Sequence, residues 1–113
     1  MNDLEQRTKN FALEVIRFSR SLPKTREADV IARQLLRSAT SVGANYREAQ
    51  RGVSRRDFKN KIGTVEKEAA ETQYWLELII GSSIQSGEEA RHLHQESTEL
   101  LAIFTTIGKK LRD

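Results

Sequence analysis

Apolar residues recur at helical spacing in four separate blocks along the chain. Leu4, Phe11, Val15, Phe18 and Leu22 follow one another at sevens, fours and threes, which predicts an amphipathic helix over residues 3–21 with Asn2 or Asp3 as its cap. Pro23 ends it. Thr25 is placed to cap a second helix over 26–51, whose inner stripe reads Ile31, Leu35, Ala39, Val42, Tyr46 and Ala49. Gly52 breaks the pattern, and Ser54 with Asp57 three residues on reads as a capping box opening a third helix over 55–80. Its inner face is Phe58, Ile62, Val65, Ala69, Thr72, Leu76 and Ile80. After the Gly81-Ser82-Ser83 to Ser86-Gly87 loop, Ser86 and Glu89 form another capping-box candidate for a fourth helix over 88–111, striped by Leu93, Leu100, Phe104, Ile107 and Leu111.

No segment alternates with the period of a strand, so the fold class is all-α. Short connections force consecutive helices to run antiparallel, giving an up-down-up-down four-helix bundle. With the second turn centred on Gly52 and Val53, Gly43 is expected opposite Gly63, Ile31 opposite Trp75 and Leu35 opposite Glu71. Two mid-helix glycines at one level would let the backbones approach closely. Trp75 and Leu78, Leu13 and Ile16, and Leu101 and Ile103 lie off the main stripes. That second set of apolar positions predicts self-association, or else wide core faces in a tight bundle.

A chain of 113 residues suits one domain, 1–113, with a single core. It has no cysteine, which removes disulfides, thiolate metal sites and cysteine nucleophiles. The start, Met1 to Arg7, lacks the cationic and apolar regions of a signal peptide, and no apolar run reaches the roughly 20 residues of a membrane span. A cytoplasmic, non-membrane protein is expected. The net charge of +3 conceals an asymmetry: residues 1–61 hold 14 Lys and Arg against 7 Asp and Glu, a balance of +7, whereas residues 62–113 hold 5 against 9, a balance of −4. Such a chain attracts polyanions, or other copies of itself.

The basic surplus is densest at the second turn: Arg47, Arg51, Arg55, Arg56, Lys59 and Lys61. Arg47 and Arg51 are one helical turn apart, as are Arg55 and Lys59, so one end of the bundle presents several cations to a phosphate backbone. Arg33 and Arg37 extend the stripe. The same residues also read as solvated faces with internal pairs, such as Arg51 or Arg55 with Glu48 or Asp57. Phe58 and Tyr46 are nearby but at core positions, so binding by charge and shape is expected rather than base stacking. Asn45 and Glu48, with Lys61, Glu68 and Glu71 opposite, are assigned to a polar core that fixes helix register.

No enzyme motif is present: there is no Gly-rich phosphate loop, nucleophile elbow or Ser-His-Asp arrangement. Di-metal bundles use Glu-x-x-His on two helices, and Glu89 with His92 is the single match. His92 and His94 are two apart and point to different sides of a helix, so no metal and no cofactor are expected.

The spaced pattern Asn45-x-x-Glu48-Ala49, Ser54-x-x-Asp57-Phe58 and Lys67-Glu68-Ala69-x-Glu71-x-x-Tyr74-Trp75-Leu76 resembles the bacterial four-helix-bundle family of 23S rRNA intervening-sequence (S23) proteins. The accessory variability proteins of diversity-generating retroelements are similar. The resemblance covers about residues 5–110; many relatives carry glycine where this chain has Ala49. It implies an antiparallel bundle assembling into a ring-like homopentamer with a basic surface, an RNA connection through genomic position, and, for the retroelement branch, contact with nucleic acid and a reverse transcriptase. Two functions follow. One is a non-enzymatic, oligomeric protein that binds RNA or DNA; the other is a protein-interaction scaffold, such as an accessory subunit of a reverse transcriptase, with no direct nucleic-acid contact.

Overall fold

Side-chain caps decide where two of the four helices begin. In the computed structural model, which describes residues 3–113, the helices are α1 (Asp3–Arg20), α2 (Arg26–Gln50), α3 (Arg55–Gly81) and α4 (Glu88–Arg112). Thr25 holds extended backbone and its Oγ1 accepts a hydrogen bond from the Ala28 amide at 3.2 Å. Ser54 does the same for Asp57 at 3.1 Å, so each helix start has one fewer unpaired amide. The Ser86–Glu89 box does not form. The cap of α4 is Gly87, one residue later, and it makes no side-chain capping bond. Gln85 Oε1 instead accepts from the Gly87 amide at 2.8 Å, and Glu88 and Glu89 supply negative charge to the first turn. Asp3 is already helical, while Asn2 lies outside the described residues.

The helices pack around a square in chain order, α4 closing back on α1 along the sparsest of the four seams. Cross-helix pairs give the directions. Glu5 meets Arg47 while Thr8 meets Gly43; Glu48 meets Lys61 while Ser38 meets Thr72; Gln73 meets Thr98 while Glu66 meets Arg112; Arg7 meets Glu96 while Glu14 meets His92. In every pair of neighbours one number rises as the other falls, so all four seams are antiparallel. The bundle measures 44 × 23 × 21 Å, about the length of its longest helix, so its two ends are separate surfaces.

The predicted stripes form the core. Val15, Phe18, Leu35, Ala39, Ile62, Val65, Leu76 and Phe104 are fully buried, each large side chain contributing about 1.5–3 kcal/mol on removal from water. At the far end of α3 the inward residue is Ile79, with Ile80 half-buried beside it. Tyr46 and Phe104 meet edge to face, ring centres 5.2 Å apart, filling the middle between the diagonal helices α2 and α4.

Three packing expectations change. Gly43 and Gly63 do not face each other: Gly43 rests on Thr8 of α1, whereas nothing lies within 4 Å of where a Gly63 Cβ would stand. The register of α2 on α3 also differs from one centred on Gly52 and Val53, which would put Glu68 opposite Ser38: the short side chain that meets Ser38, at 2.9 Å, is Thr72, one turn further on. Finally, Asn45, Glu48, Glu68 and Glu71 make no buried polar core. Asn45 Nδ2 donates to the Ser41 carbonyl of its own helix at 2.8 Å. Glu48 has a side chain 61% exposed and pairs with Lys61, and Glu68 and Glu71 converge on Arg37 at the α2–α3 rim. Long charged side chains place their heads in water, leaving the buried polar link to two short hydroxyls, Ser38 and Thr72, 2.9 Å apart.

Candidate nucleic-acid interface

The end of α2, the turn after it and the first turns of α3 carry the basic cluster. Arg47, Arg51, Arg55, Arg56 and Lys59 are exposed and Lys61 is half-buried. Ion pairs divide the six. Arg47 Nε lies 3.3 Å from Glu5 Oε1 on α1, and Lys61 Nζ lies 2.9 Å from Glu48 Oε1. Among the described residues Arg51, Arg55, Arg56 and Lys59 form no ion pair, so the expected pairing of Arg51 or Arg55 with Glu48 or Asp57 is absent. Glu48 is taken up by Lys61, which stands across from it on α3. Four cations therefore remain uncompensated at one corner.

Arg33 and Arg37 do not lengthen this stripe. Arg33 pairs with Asp29 one turn back, and Arg37 is held by Glu68 at 3.2 Å and by Glu71, whose Oε1 also accepts from Trp75 Nε1 at 3.2 Å. Both arginines have carboxylate partners within the chain, at its surface.

Beside the corner runs a groove of about 940 Å³ between α1, α2 and the start of α3. It is lined by the small residues Thr8, Ala12, Gly43 and Ala44 and by Lys9, Arg47, Arg51 and Lys61 alongside Glu5, Glu48 and Asp57. Val53, 94% exposed, marks the tip of the turn. Among the described residues no aromatic ring is free to stack here, since Tyr46 is buried and Phe58 packs against the core. The corner can hold phosphate oxygens by charge and hydrogen bonding; it offers bases no platform.

Sequence reasoning missed a second set of cations at this end. The last turn of α4 contains Lys109, Lys110 and Arg112. Counting charge by halves put them in the acidic half, yet an antiparallel fourth helix must finish at the end where the third begins. That topological step was the available signal.

The histidines look away from one another as their spacing requires. His92 Nε2 lies 3.3 Å from Glu14 Oε2 on α1, and His94 Nε2 lies 3.1 Å from Glu77 Oε2 on α3. No group of three His, Asp or Glu side chains with metal-binding geometry occurs among the described residues, and no helix there is long and apolar enough to cross a membrane.

With the geometry established, comparison with known proteins gives one consistent result. The family described as 23S rRNA-intervening sequence protein matches residues 2–106. A solved structure from Bacteroides thetaiotaomicron, described as a protein of unknown function from the S23 ribosomal protein family, is 37% identical to this chain and superposes with a TM-score of 0.85. The match covers 93% of this chain and 97% of that one. No curated protein matches significantly.

Proposed function

The chain belongs to the family of 23S rRNA-intervening sequence proteins, and from that premise we propose that it is a non-enzymatic, oligomeric, cytoplasmic protein that binds nucleic acid through phosphates at the α2–α3 corner. The observation that carries this reading is where the unpaired cations stand. Arg55 and Arg56 are the first two residues of α3, at the positive end of the helix dipole, with Asp57 the sole acidic residue of that turn. A carboxylate there would add about 0.3–1 kcal/mol, and a cation forfeits it. Arg51 and Lys59 add repulsion. A merely solvated face has no need of cations in this arrangement, whereas a phosphate-binding corner does.

Self-association is part of the same proposal. Leu13 on α1 is 41% exposed and Tyr74 on α3 is 52% exposed, with Ile16, Trp75 and Leu78 half-buried around them. Because α1 and α3 are diagonal helices, these apolar patches lie on two different faces. Two unlike faces per protomer are what a closed ring uses, and a ring multiplies one corner into several. Five members is the number the family resemblance implies.

The test is light scattering after size exclusion on nuclease-treated protein, with and without RNA and DNA, at low and moderate salt. The reading predicts an oligomer that takes up nucleic acid and releases it as salt rises, with a log–log slope of about −3 to −4 per corner for four engaged cations. An oligomer indifferent to every nucleic acid would overturn it in favour of the protein-scaffold reading, and a monomer would remove the ring.

A further inference from the structure

Lys109 and Lys110 are remote in sequence from the corner, but the fold returns them to it. Arg112 Nη1 lies 3.3 Å from Glu66 Oε1, and the same carboxylate lies over Gly108, which fixes the last turn of α4 beside Glu66 of α3. From Glu66 back to Lys59 is seven residues, about 10 Å along the helix. Arg112 is occupied by Glu66, whereas Lys109 and Lys110 are exposed and form no ion pair among the described residues. Cations at a helix C-terminus are stabilising in their own right, so the presence of these lysines proves nothing. Their position does the work.

Two unpaired cation clusters stand on neighbouring helices at one end of the bundle: Arg55, Arg56 and Lys59 on α3, Lys109 and Lys110 on α4. Packed helix axes are about 8–10 Å apart. With the axial offset of about 10 Å added, Lys59 and the last turn of α4 are about 13–14 Å apart at the backbone, a span that flexible arms match to the roughly 12 Å major groove of a B-form duplex. A single strand would need stacking to be held well, and the nearest exposed aromatic, Tyr74, is fifteen residues along α3 from Lys59, about 22 Å away. Resting on the nucleic-acid reading above, we infer that the ligand is a duplex, gripped across a groove with one strand on the α3 cluster and the other on the last turn of α4, where Lys109 shares the α3-facing side of Thr98 and Lys110, on the side of His92 and Glu99, meets the strand where it passes toward α1.

Fluorescence anisotropy separates the possibilities. The probes are an RNA duplex and a DNA duplex of about 16 base pairs and their separated strands, titrated at several salt concentrations. The proteins are the wild type, Lys109→Gln/Lys110→Gln, Arg55→Gln/Arg56→Gln, and Lys24→Gln/Arg26→Gln at the opposite end as a control. Glutamine keeps these exposed positions helical, and circular dichroism verifies folding. The inference expects either duplex to bind at least several-fold more tightly than its strands. It also expects Lys109→Gln/Lys110→Gln to weaken the duplex about tenfold at low salt and to reduce the salt slope by about 2, with the control within about twofold of wild type. Preference for one duplex identifies whether RNA or DNA is the natural source. If Arg55→Gln/Arg56→Gln weakens binding while Lys109→Gln/Lys110→Gln does not, or if single strands bind better, the inference falls and the corner remains. If no probe binds at any salt, the nucleic-acid reading falls with it.

Discussion

Gly43 of α2 rests directly on Thr8 of α1: a Cβ at Gly43 would lie 3.2 Å from Thr8 Oγ1 and 3.5 Å from its carbonyl carbon. The tight contact is with the Thr8 hydroxyl, which donates to the Leu4 and Glu5 carbonyls at 2.8 and 3.1 Å, so it cannot turn away without giving up those hydrogen bonds. Gly63, by contrast, has open space where its Cβ would be. Replacing glycine by alanine inside a helix yields about 1 kcal/mol of propensity where nothing opposes it. Gly63→Ala is therefore expected to stabilise by about 1 kcal/mol in denaturant unfolding. Gly43→Ala is expected to fall at least about 1 kcal/mol short of that, by levering α1 from α2. Equal gains at both positions would mean that the α1–α2 approach is not tight.

The buried hydroxyl pair supports a second prediction. Ser38 and Thr72 are fully buried and 2.9 Å apart; Thr72 Oγ1 also lies 2.8 Å from the Glu68 carbonyl, and Ser38 Oγ 3.3 Å from the Leu35 carbonyl. Thr72→Val leaves Ser38 with only its longer contact and is expected to cost about 1–2 kcal/mol. Ser38→Ala with Thr72→Val removes both polar groups and is expected to cost less than the two single changes combined. A thermal-denaturation double-mutant cycle measures the coupling, and strict additivity would show that the two hydroxyls do not interact.

Helix identity and all three internal helix starts were legible, those of α2 and α3 because they rest on local cap chemistry. Thr25 and Ser54 cap where their spacing to the next apolar residue said they would. The start of α4 at residue 88 was legible too but its cap was not, since Ser86 and Gly87 are both acceptable caps and only the loop's path chooses between them. Polar partners were the least legible part. Whether Glu48 binds Lys61 or Arg51, and whether Glu71 lies in a core or beneath Arg37, depends on azimuth and register across α2 and α3, to which helical periodicity along one chain is blind. The six corner cations could be found because they are contiguous in sequence. Lys109 and Lys110 escape a count of charge along the chain and emerge only when the antiparallel path of α4 is followed to its last turn.

The sparsest seam is bridged by a fork. Arg7 Nε and Nη2 donate to the two carboxylate oxygens of Glu96 at 2.7 and 2.8 Å, and Nη2 also reaches Glu99 at 2.9 Å, joining α1 to α4. The hydrogen bond to Glu96 is the main reason the guanidinium holds its proton more tightly than an isolated arginine. Lysine keeps the charge but not the planar fork, so Arg7→Lys is expected to lose about 0.5–1.5 kcal/mol in urea unfolding. A loss below the error of the measurement would show that the α1–α4 seam does not depend on the paired donors.

Acid should loosen the same seam. Hydrogen bonds from Gln95 and then Arg7 lower the pKa of the Glu99 carboxyl, so the folded chain takes up this proton less readily than the unfolded one. The stabilisation is complete above the ordinary glutamate value of about 4.3 and disappears as pH falls through the lower folded value. Arg7 stays charged in both states and adds no slope in this range. Unfolding midpoints followed from about pH 7 down to 3 should therefore fall less steeply on the acid side for Glu99→Gln than for the wild type. Parallel curves would show that Glu99 takes no part in the acid response.

The arginines that open α3 should cost stability if they are kept for binding. Arg55 and Arg56 face the positive end of the dipole and stand close to Arg51 and Lys59, with no partner carboxylate among the described residues. Arg55→Gln and Arg56→Gln remove those repulsions while keeping a long, helix-compatible side chain. Each is expected to raise stability by about 0.3–1 kcal/mol, which for a chain of this size is roughly 1–4 °C in Tm. Repulsion between exposed charges is screened within about 10 Å at 0.1 M salt, so the gain should shrink as salt is added. A swap at Lys24, at the other end of the bundle, should do neither. Thermal melts of these three variants at low and high salt, read beside their nucleic-acid affinities, decide the matter: higher Tm with weaker binding means that the corner trades stability for phosphate contact. Unchanged or lower Tm would mean that the cations are already accommodated by the fold, and the placement of Arg55 and Arg56 would no longer favour a binding role.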